Sequence, residues 1–327
     1  MELQIVKSDK SPNIIEQESR IISPNPFIEA NTNKVNLSNL KQNCTIPVFA
    51  KDNEVTISHQ DFIESMQFSV SHIFPQKQLT EPQIRVSHAI KGRIPEAIRK
   101  PANELLEIEK TIYYERMAFM IDIPTIQETV AGNTLSLSVG GVRAYNQENL
   151  YSKKSMEKFK VFIGFKNWVC TNLCISTDGF SLEIRASTID ELLQQIMTLL
   201  SNYNMDKHLS EMHSLQEQHL TERQFAQILG KARLYNHLPK NKKLELPVLN
   251  FNDGQLNAIA KDYYEDSSFC KDEKGNISLW KMYNLFTGAN KSSYIDSFLE
   301  RNVNAHTFTN SIAEALKGNS DYHWFLS

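Results

Sequence analysis

The hydrophobic pattern predicts an α+β fold: a strand-rich N-terminal half with a central, mostly antiparallel sheet, followed by a helical C-terminal half. Three observations carry this. Up to about Ala186 the apolar residues alternate or cluster in short β-branched runs. From Ile189 their spacing changes from two to near 3.6. Towards the end of the first region lies Phe159 to Phe180, FKVFIGFKNWVCTNLCISTDGF, the densest run of β-branched, aromatic and sulfur residues in the chain. The expected organisation is a flexible arm (1–45), an α+β sheet region (46–186) and a helical region packed on the sheet (187–327).

The arm is rich in Asn, Ser, Lys and Pro with scattered single apolar residues, a composition that points to poor order. Its alternative role is to add a strand to a neighbouring subunit. Val55-Thr56-Ile57 reads as a short strand. Ser58 or Gln60-Asp61 starts a helix with Phe62, Ile63, Met66, Val70, Ile73 and Phe74 on one side, stopped by Pro75. Gln83 to Ile90 alternates and reads as a strand. Pro101 opens a short helix with apolar Leu105, Leu106 and Ile108. Tyr113 to Ile123 is read as a strand rather than as more of that helix, and Pro124 ends it. Thr134–Val139 and Val142–Tyr145 flank Gly140-Gly141, a hairpin signal.

In the central stretch the expected hairpin turns at Lys166-Asn167. That sets Phe165 opposite Trp168, Ile163 opposite Cys170, Val161 opposite Asn172 and Phe159 opposite Cys174. Both faces are mostly apolar, so the hairpin belongs inside a sheet covered on both sides. Asn172 is the odd polar residue: a structural hydrogen bond to a neighbouring strand or loop, or a polar pocket floor. Cys170 and Cys174 imitate a metal or redox pair, but on one strand they stand about 13 Å apart, which suits two core cysteines. Leu182 to Ala186 adds one more strand.

The helical half opens with Ile189, Leu192, Leu193, Ile196, Leu199 and Leu200 on one stripe, capped by Ser187 or Thr188. Ser201 to His219 reads as a polar segment. Thr221 with Gln224 is a capping box leading a helix that buries Phe225, Ile228, Leu229, Ala232 and Tyr235. Asp253 starts another, over Leu256, Ile259, Ala260 and Tyr263. Leu279 to Phe286 is apolar nearly all round and predicts a buried helix. Two more are expected at Tyr294–Asn302 and Asn304–Lys317, and Trp324-Phe325-Leu326 docks on the core.

The chain has 327 residues, 41% hydrophobic and 22% charged, enough for a substantial core. A net charge of −3 excludes a globally basic nucleic-acid coat. Cys44, Cys170, Cys174 and Cys270 follow no framework spacing, which suits a reducing compartment. With no apolar signal region and no membrane-length run, a cytoplasmic protein is expected.

Candidate chemistry centres on two basic stretches. The first holds Arg85, Lys91, Arg93, Arg99 and Lys100 against Glu96, with His88 beside it. The second holds Lys231, Arg233, Lys240, Lys242 and Lys243 with no acid, and contains Tyr235 and His237. Cations that neutralise phosphates, with rings for bases to stack on, hold single strands; a solvated face is the plainer account. No zinc-finger spacing or helix-turn-helix is visible. Lys291, Ser292 and Ser293 imitate a phosphate loop but lack the Gly before the Lys, leaving an anion site at a helix start or an ordinary N-cap. His208 and His219 would lie about 16 Å apart on one helix, too far to share a metal. Asp262, Glu265 and Asp266 offer carboxylates for a divalent ion or a solvated face. No nucleophile elbow or cofactor motif is present.

Phe162 to Cys174 (Phe-x-Gly-Phe…Val-Cys-Thr-Asn-x-Cys), Leu279 to Thr287 (Leu-Trp-x-x-Tyr-Asn-x-x-Thr) and His88 to Phe119 resemble domain-of-unknown-function family 3871, uncharacterised proteins of mobile elements in gut bacteria. More distantly, the Val-Cys-Thr-Asn and Tyr-Asn-x-x-Thr pieces are similar to the phage/plasmid-like protein family. The resemblance covers residue 50 or so to the end. It implies a genetic setting and no catalytic residue. The expectation is a non-enzymatic protein contacting nucleic acid, such as single-stranded DNA, through both basic stretches. The alternatives are a protein-interaction or anti-host-defence factor with a host or element-encoded partner, and a divalent-metal-dependent enzyme. The oligomeric state stays open.

Overall fold

The computed structural model describes residues 14–15, 26–44, 57–97, 99–145 and 156–327. The elements run β1 (Ile14–Ile15), β2 (Asn33–Val35), α1 (Leu37–Asn43), α2 (His59–Ile73), β3 (Leu79–Thr80), β4 (Gln83–Val86), β5 (Ala89–Arg93), β6 (Lys110–Tyr114), β7 (Arg116–Val130), β8 (Asn133–Ala144), β9 (Glu157–Asn167), β10 (Leu173–Cys174) and β11 (Phe180–Ala186). Then come α3 (Ile189–Asn202), α4 (Met205–Glu217), β12 (His219–Leu220), α5 (Glu222–His237), α6 (Lys240–Lys243), α7 (Asp253–Glu265), β13 (Ile277–Ser278), α8 (Leu279–Asn290) and α9 (Ile295–Leu316). The fold is α+β, with the strands first and the helices after them.

The main sheet has seven strands, ordered β10-β9-β8-β7-β4-β2, with β11 also on β9. Its pairings are antiparallel. Side chains alternate across it. On one face Phe119, Ile121, Leu137, Val139, Val161 and Ile163 pack with Phe62 and Met66 of α2 and Leu192 and Ile196 of α3. On the other, Ala118, Met120, Val142 and Phe162 pack with Phe27, Ile28 and Ile295, Phe298 and Leu299 of α9. The central stretch is thus covered on both sides, as its two apolar faces predict. Helix starts follow their local signals: Ser58 with Asp61 and Thr221 with Gln224 form capping boxes, and Thr188 caps α3.

Several expectations are corrected. The central hairpin does not turn at Lys166-Asn167. Residues 168–171 form a loop, and the register places Leu173 opposite Lys166 and Cys174 opposite Phe165. Asn167 organises that loop: its backbone N–H donates to the Asn172 carbonyl at 2.9 Å, its carbonyl accepts from Thr171 at 2.8 Å, and its Oδ1 accepts from Val169 at 2.9 Å. Gly140-Gly141 is not a turn but the middle of β8. A Cβ on Gly140 would sit 2.1 Å from the Phe119 carbonyl oxygen, and one on Gly141 2.4 Å from the Phe62 ring. The glycines serve close packing. The turn lies instead at Ala131-Gly132, whose φ values of 48° and 76° match the primed turns that suit strand twist.

Pro124 does not end its strand. β7 runs on to Val130, and the register shift between Ile123 and Gln127 absorbs the proline as a bulge. Gln83–Ile90 divides into β4 and the start of β5, which pairs with β6 in a separate two-stranded sheet. After Pro101 there is no α-helix. Two 3-10 turns, Ala102–Glu104 and Glu107–Glu109, leave Leu106 and Ile108 exposed. The polar segment 201–219 contains α4, capped by Asn204, which buries His208, Met212 and Leu215. The two terminal helices are one, α9. Asn302 and Asn304 do not break it, because the Asn302 amide donates to the Phe298 carbonyl and the Asn304 amide reaches the Val248 carbonyl at 2.8 Å.

Of the expected arm, residues 26–44 carry β2, which edges the chain's own sheet on β4, and buried Phe27 and Ile28. Val55 and Thr56 of the first expected strand lie outside the described residues. The tail docks as expected: Phe325 is buried 4.9 Å from the Phe308 ring. Among the described residues no helix is long and apolar enough to cross a membrane.

Candidate nucleic-acid interface

The cations of the first basic stretch are largely occupied. Arg85 on β4 donates through Nε to the Thr32 hydroxyl (2.9 Å) and through Nη2 to the Thr32 carbonyl (2.7 Å), bracing the sheet edge beside β2. Burial lowers its pKa. The Arg93 guanidinium donates to the Lys100 carbonyl, and the Lys100 ammonium is ion-paired with Glu109. Arg99 and His88 are exposed, and Lys91 projects from β5. Glu109, paired with Lys100, and Glu107, which shares a cleft lining with Lys91 and Arg93, temper the positive charge of this stretch.

The second stretch lies on the last turns of α5 and on α6. Among the described residues none of Lys231, Arg233, Lys240, Lys242 and Lys243 has a carboxylate within ion-pair distance; the nearest pairing is His237 with Asp253 at 3.3 Å. Arg233, Lys240 and Lys242 are exposed. Lys231 lies over the Trp324 ring at 4.8 Å. Lys243 lies over Tyr235 at 5.2 Å and donates to the Asn236 carbonyl at 2.9 Å. Tyr235 itself is buried, so it cannot stack on a base; the exposed ring of this stretch is His237.

Asn236 joins this face to a cleft of about 710 Å³, with Asn250, Asn252, Asp253 and Arg301 in its lining. The Asn236 amide donates to the Phe251 carbonyl (3.0 Å) and to Asp253 Oδ1 (2.9 Å). The second of these bonds, then that from His237, holds the Asp253 carboxyl below its usual range. Arg301 donates to the Asn250 carbonyl (2.8 Å) and the Ser293 hydroxyl (2.8 Å). Neither this cleft nor a larger one at the first stretch is lined by members of both stretches.

The loop Lys291–Ser293 closes on the protein itself. The Lys291 ammonium is buried and donates to the Cys170 carbonyl and, at 3.0 Å, to the Thr171 hydroxyl. Ser293 donates to Asn290 Oδ1 and accepts from Gln255 and Arg301. Ser292 donates to the Ala289 carbonyl. Lys291 thereby pins the 168–171 loop, where Thr171 takes a φ of +59°, rare for a β-branched residue. Asn172 makes a structural hydrogen bond, but to helix α8 rather than to the strand or loop expected: its amide donates to the Asn284 carbonyl at 2.9 Å, while its Oδ1 has no partner among the described residues. Asn284 in turn accepts from Asn167 at 3.3 Å and donates to the Trp280 carbonyl at 2.9 Å. The Val-Cys-Thr-Asn and Tyr-Asn-x-x-Thr blocks therefore meet in space. Burial pushes the Cys170 thiol up to about 11 and Cys174 higher still, as core cysteines require.

Asp262, Glu265 and Asp266 diverge in use. Burial, then Asp266, raises the Asp262 pKa; Glu265 pairs with Lys261 at 3.5 Å; Asp266 Oδ1 accepts the Ser268 and Phe269 N–H groups. Among the described residues no three His, Cys, Asp or Glu side chains are placed to hold a metal ion. His208 and His213 lie on α4 and His219 on β12.

Two buried polar groups escape sequence reasoning. Asp122, Ser138 and Lys166 share one face of β7, β8 and β9, where the Lys166 ammonium pairs with Asp122 and Ser138 donates to Asp122 Oδ1 at 2.6 Å. The serines at 136 and 138 leave room for the lysine stem to cross β8. The signal was an aspartate inside the apolar run 117–123 and the Ser alternation of 135–139. His208 meets His306 of α9, ring centroids 5.0 Å apart, and His306 pairs with Glu211 at 3.2 Å. No local pattern marks that contact.

A protein-family model described as "Domain of unknown function, B. Theta Gene description (DUF3871)" matches residues 9–326. No curated protein and no solved structure matches the chain.

Proposed function

Because the chain belongs to domain-of-unknown-function family 3871, a functional reading has to rest on its surface chemistry, and we propose that it contacts single-stranded nucleic acid, DNA in the first instance, through the face of α5 and α6, without catalysis. The observation that supports this is the row Lys231, Arg233, Lys240, Lys242 and Lys243, none of them within ion-pair distance of a carboxylate among the described residues, beside an amide-lined cleft. Each cation set against a phosphate releases a counterion and draws in the strand. His237 offers a ring for stacking, and the side-chain amide of Asn250 in the cleft lining offers a donor and an acceptor to base edges. A cytoplasmic protein of a mobile element belongs to the same reading.

The test is fluorescence anisotropy of a labelled oligonucleotide at a series of salt concentrations. For single strands the logarithmic salt slope is about −0.7 per phosphate contact. The exposed double substitution Lys240→Glu/Lys242→Glu should lower its magnitude by about 1.4. No binding at low salt, or an unchanged slope in the variant, removes the proposal.

A further inference from the structure

The β5–β6 hairpin stands apart from the main sheet. Its register sets Lys91 opposite Ile112 and Arg93 opposite Lys110, so these four side chains share one face. Thr111 and Tyr113 take the other face and are buried. The outward face lines a cleft of about 800 Å³, walled on one side by Leu105 and Ile108 from the 3-10 segment.

Three properties of this cleft point to one kind of occupant. The first is exposed apolar surface: of the lining residues Ile108 is 82% and Ile112 39% exposed, and Leu106, next in chain to the lining residue Leu105, is 58% exposed. Grouped exposed apolar side chains rimmed by polar ones mark interaction sites. The second is charge. Among the described residues the lining carries three cations, Lys91, Arg93 and Lys110, against one carboxylate, Glu107. Lys110 already has Glu107 at 2.5 Å, whereas Lys91 has no ion-pair partner among the described residues. The third is an open edge. Among the described residues β5 pairs with β6 alone, so its other side presents unpaired main-chain groups to an added strand. Among the described residues no aromatic ring lines the cleft, so a nucleic acid finds none there to stack on.

We propose that the β5–β6 cleft is a docking site for an extended acidic peptide segment of a partner protein. The segment adds a strand at β5, sets carboxylates against Lys91 and Arg93, and buries an apolar side chain against Ile108 and Ile112. The site is separate from the α5–α6 face and does not depend on it.

The probe is a fluorescein-labelled seven-residue peptide alternating aspartate with valine or leucine, with a control in which lysine replaces aspartate. The expected result is salt-sensitive binding of the acidic peptide and not of the control. Lys91→Glu and Ile108→Asp, both at exposed positions, should each weaken it at least ten-fold, and Lys240→Glu should leave it unchanged. Unaltered thermal unfolding of each variant shows that the fold is intact. Absence of binding at low ionic strength, or equal binding of the lysine control, overturns the proposal. It is equally overturned if an oligonucleotide displaces the peptide and itself loses affinity in Lys91→Glu.

Discussion

Lys166→Met should be among the most damaging single substitutions of a charged residue in this protein. The Lys166 side chain is 9% exposed and its partner Asp122 4% exposed, so solvent cannot take over the lost interaction. Methionine fills the lysine stem's path across Ser136 and Ser138 but leaves the Asp122 carboxylate with the Ser138 hydroxyl as its main support. Removing one partner of a buried ion pair costs about 3–5 kcal/mol, because the remaining charge stays desolvated. Unfolding entropy of about 2.1 cal/mol/K per residue, over 327 residues, gives about 0.7 kcal/mol per degree. The melting temperature should therefore fall by roughly 4–7 °C. The double substitution Asp122→Leu/Lys166→Met removes both charges, and Ser138 keeps the Ser136 carbonyl as an acceptor at 3.3 Å. It should recover most of the loss. Urea unfolding followed by tryptophan fluorescence measures both. A loss below about 1 kcal/mol in the single variant, or a double variant as unstable as the sum of its singles, would refute the reasoning.

Two further outcomes are expected. Asn284→Leu removes the acceptor for the Asn167 amide at the junction of the 168–171 loop and α8, and should cost about 1–3 kcal/mol. Limited proteolysis should then cut that loop faster than in the parent, and an unchanged cleavage rate would show that the loop is held by other bonds. The second concerns pH. Burial, then Arg143, holds His59 at about 3, and burial, then His306, holds His208 well below its ordinary value. Below pH about 6.5 the unfolded chain binds protons at these two residues and the native chain does not. Stability is thus full above that pH and falls as pH drops, by about 1.4 kcal/mol per unit for each histidine. Glu211 adds to the trend: the His306 hydrogen bond depresses it, and its contribution is lost as pH falls through its folded value. Urea titrations at pH 7.5, 6 and 5 should show this slope, reduced by one histidine's share in His208→Gln; a flat profile would contradict it.

The linear pattern was sufficient wherever the deciding interactions lie within a few residues. Ser58, Thr188 and Thr221 cap the helices they announce, and the stripes of α2, α3, α5, α7 and α8 bury the faces they predict, except that Ile189 at the start of α3 is 41% exposed. The two apolar faces of β9 foretold a doubly covered sheet. Local reading failed where a residue's purpose lies in a distant neighbour. Gly140-Gly141 looks like a turn until Phe119 and Phe62 press against it. Asn302 and Asn304 look like a break until the Phe298 and Val248 carbonyls claim their amides. The candidate site divides the same way: both basic stretches are visible in the sequence, but pairing by Thr32 and Glu109 is not.

By itself, then, the sequence determined the α+β class, the starts of α2, α3, α5, α7 and α8 and the positions of the cations, because period and caps act over a single turn or strand. Only the tertiary structure decided which cations stay open to a ligand, which glycines sit beneath rings, and how Lys166, Lys291 and His208 are neutralised or buried. Those outcomes depend on strand register and helix docking, which bring together groups that no local pattern connects.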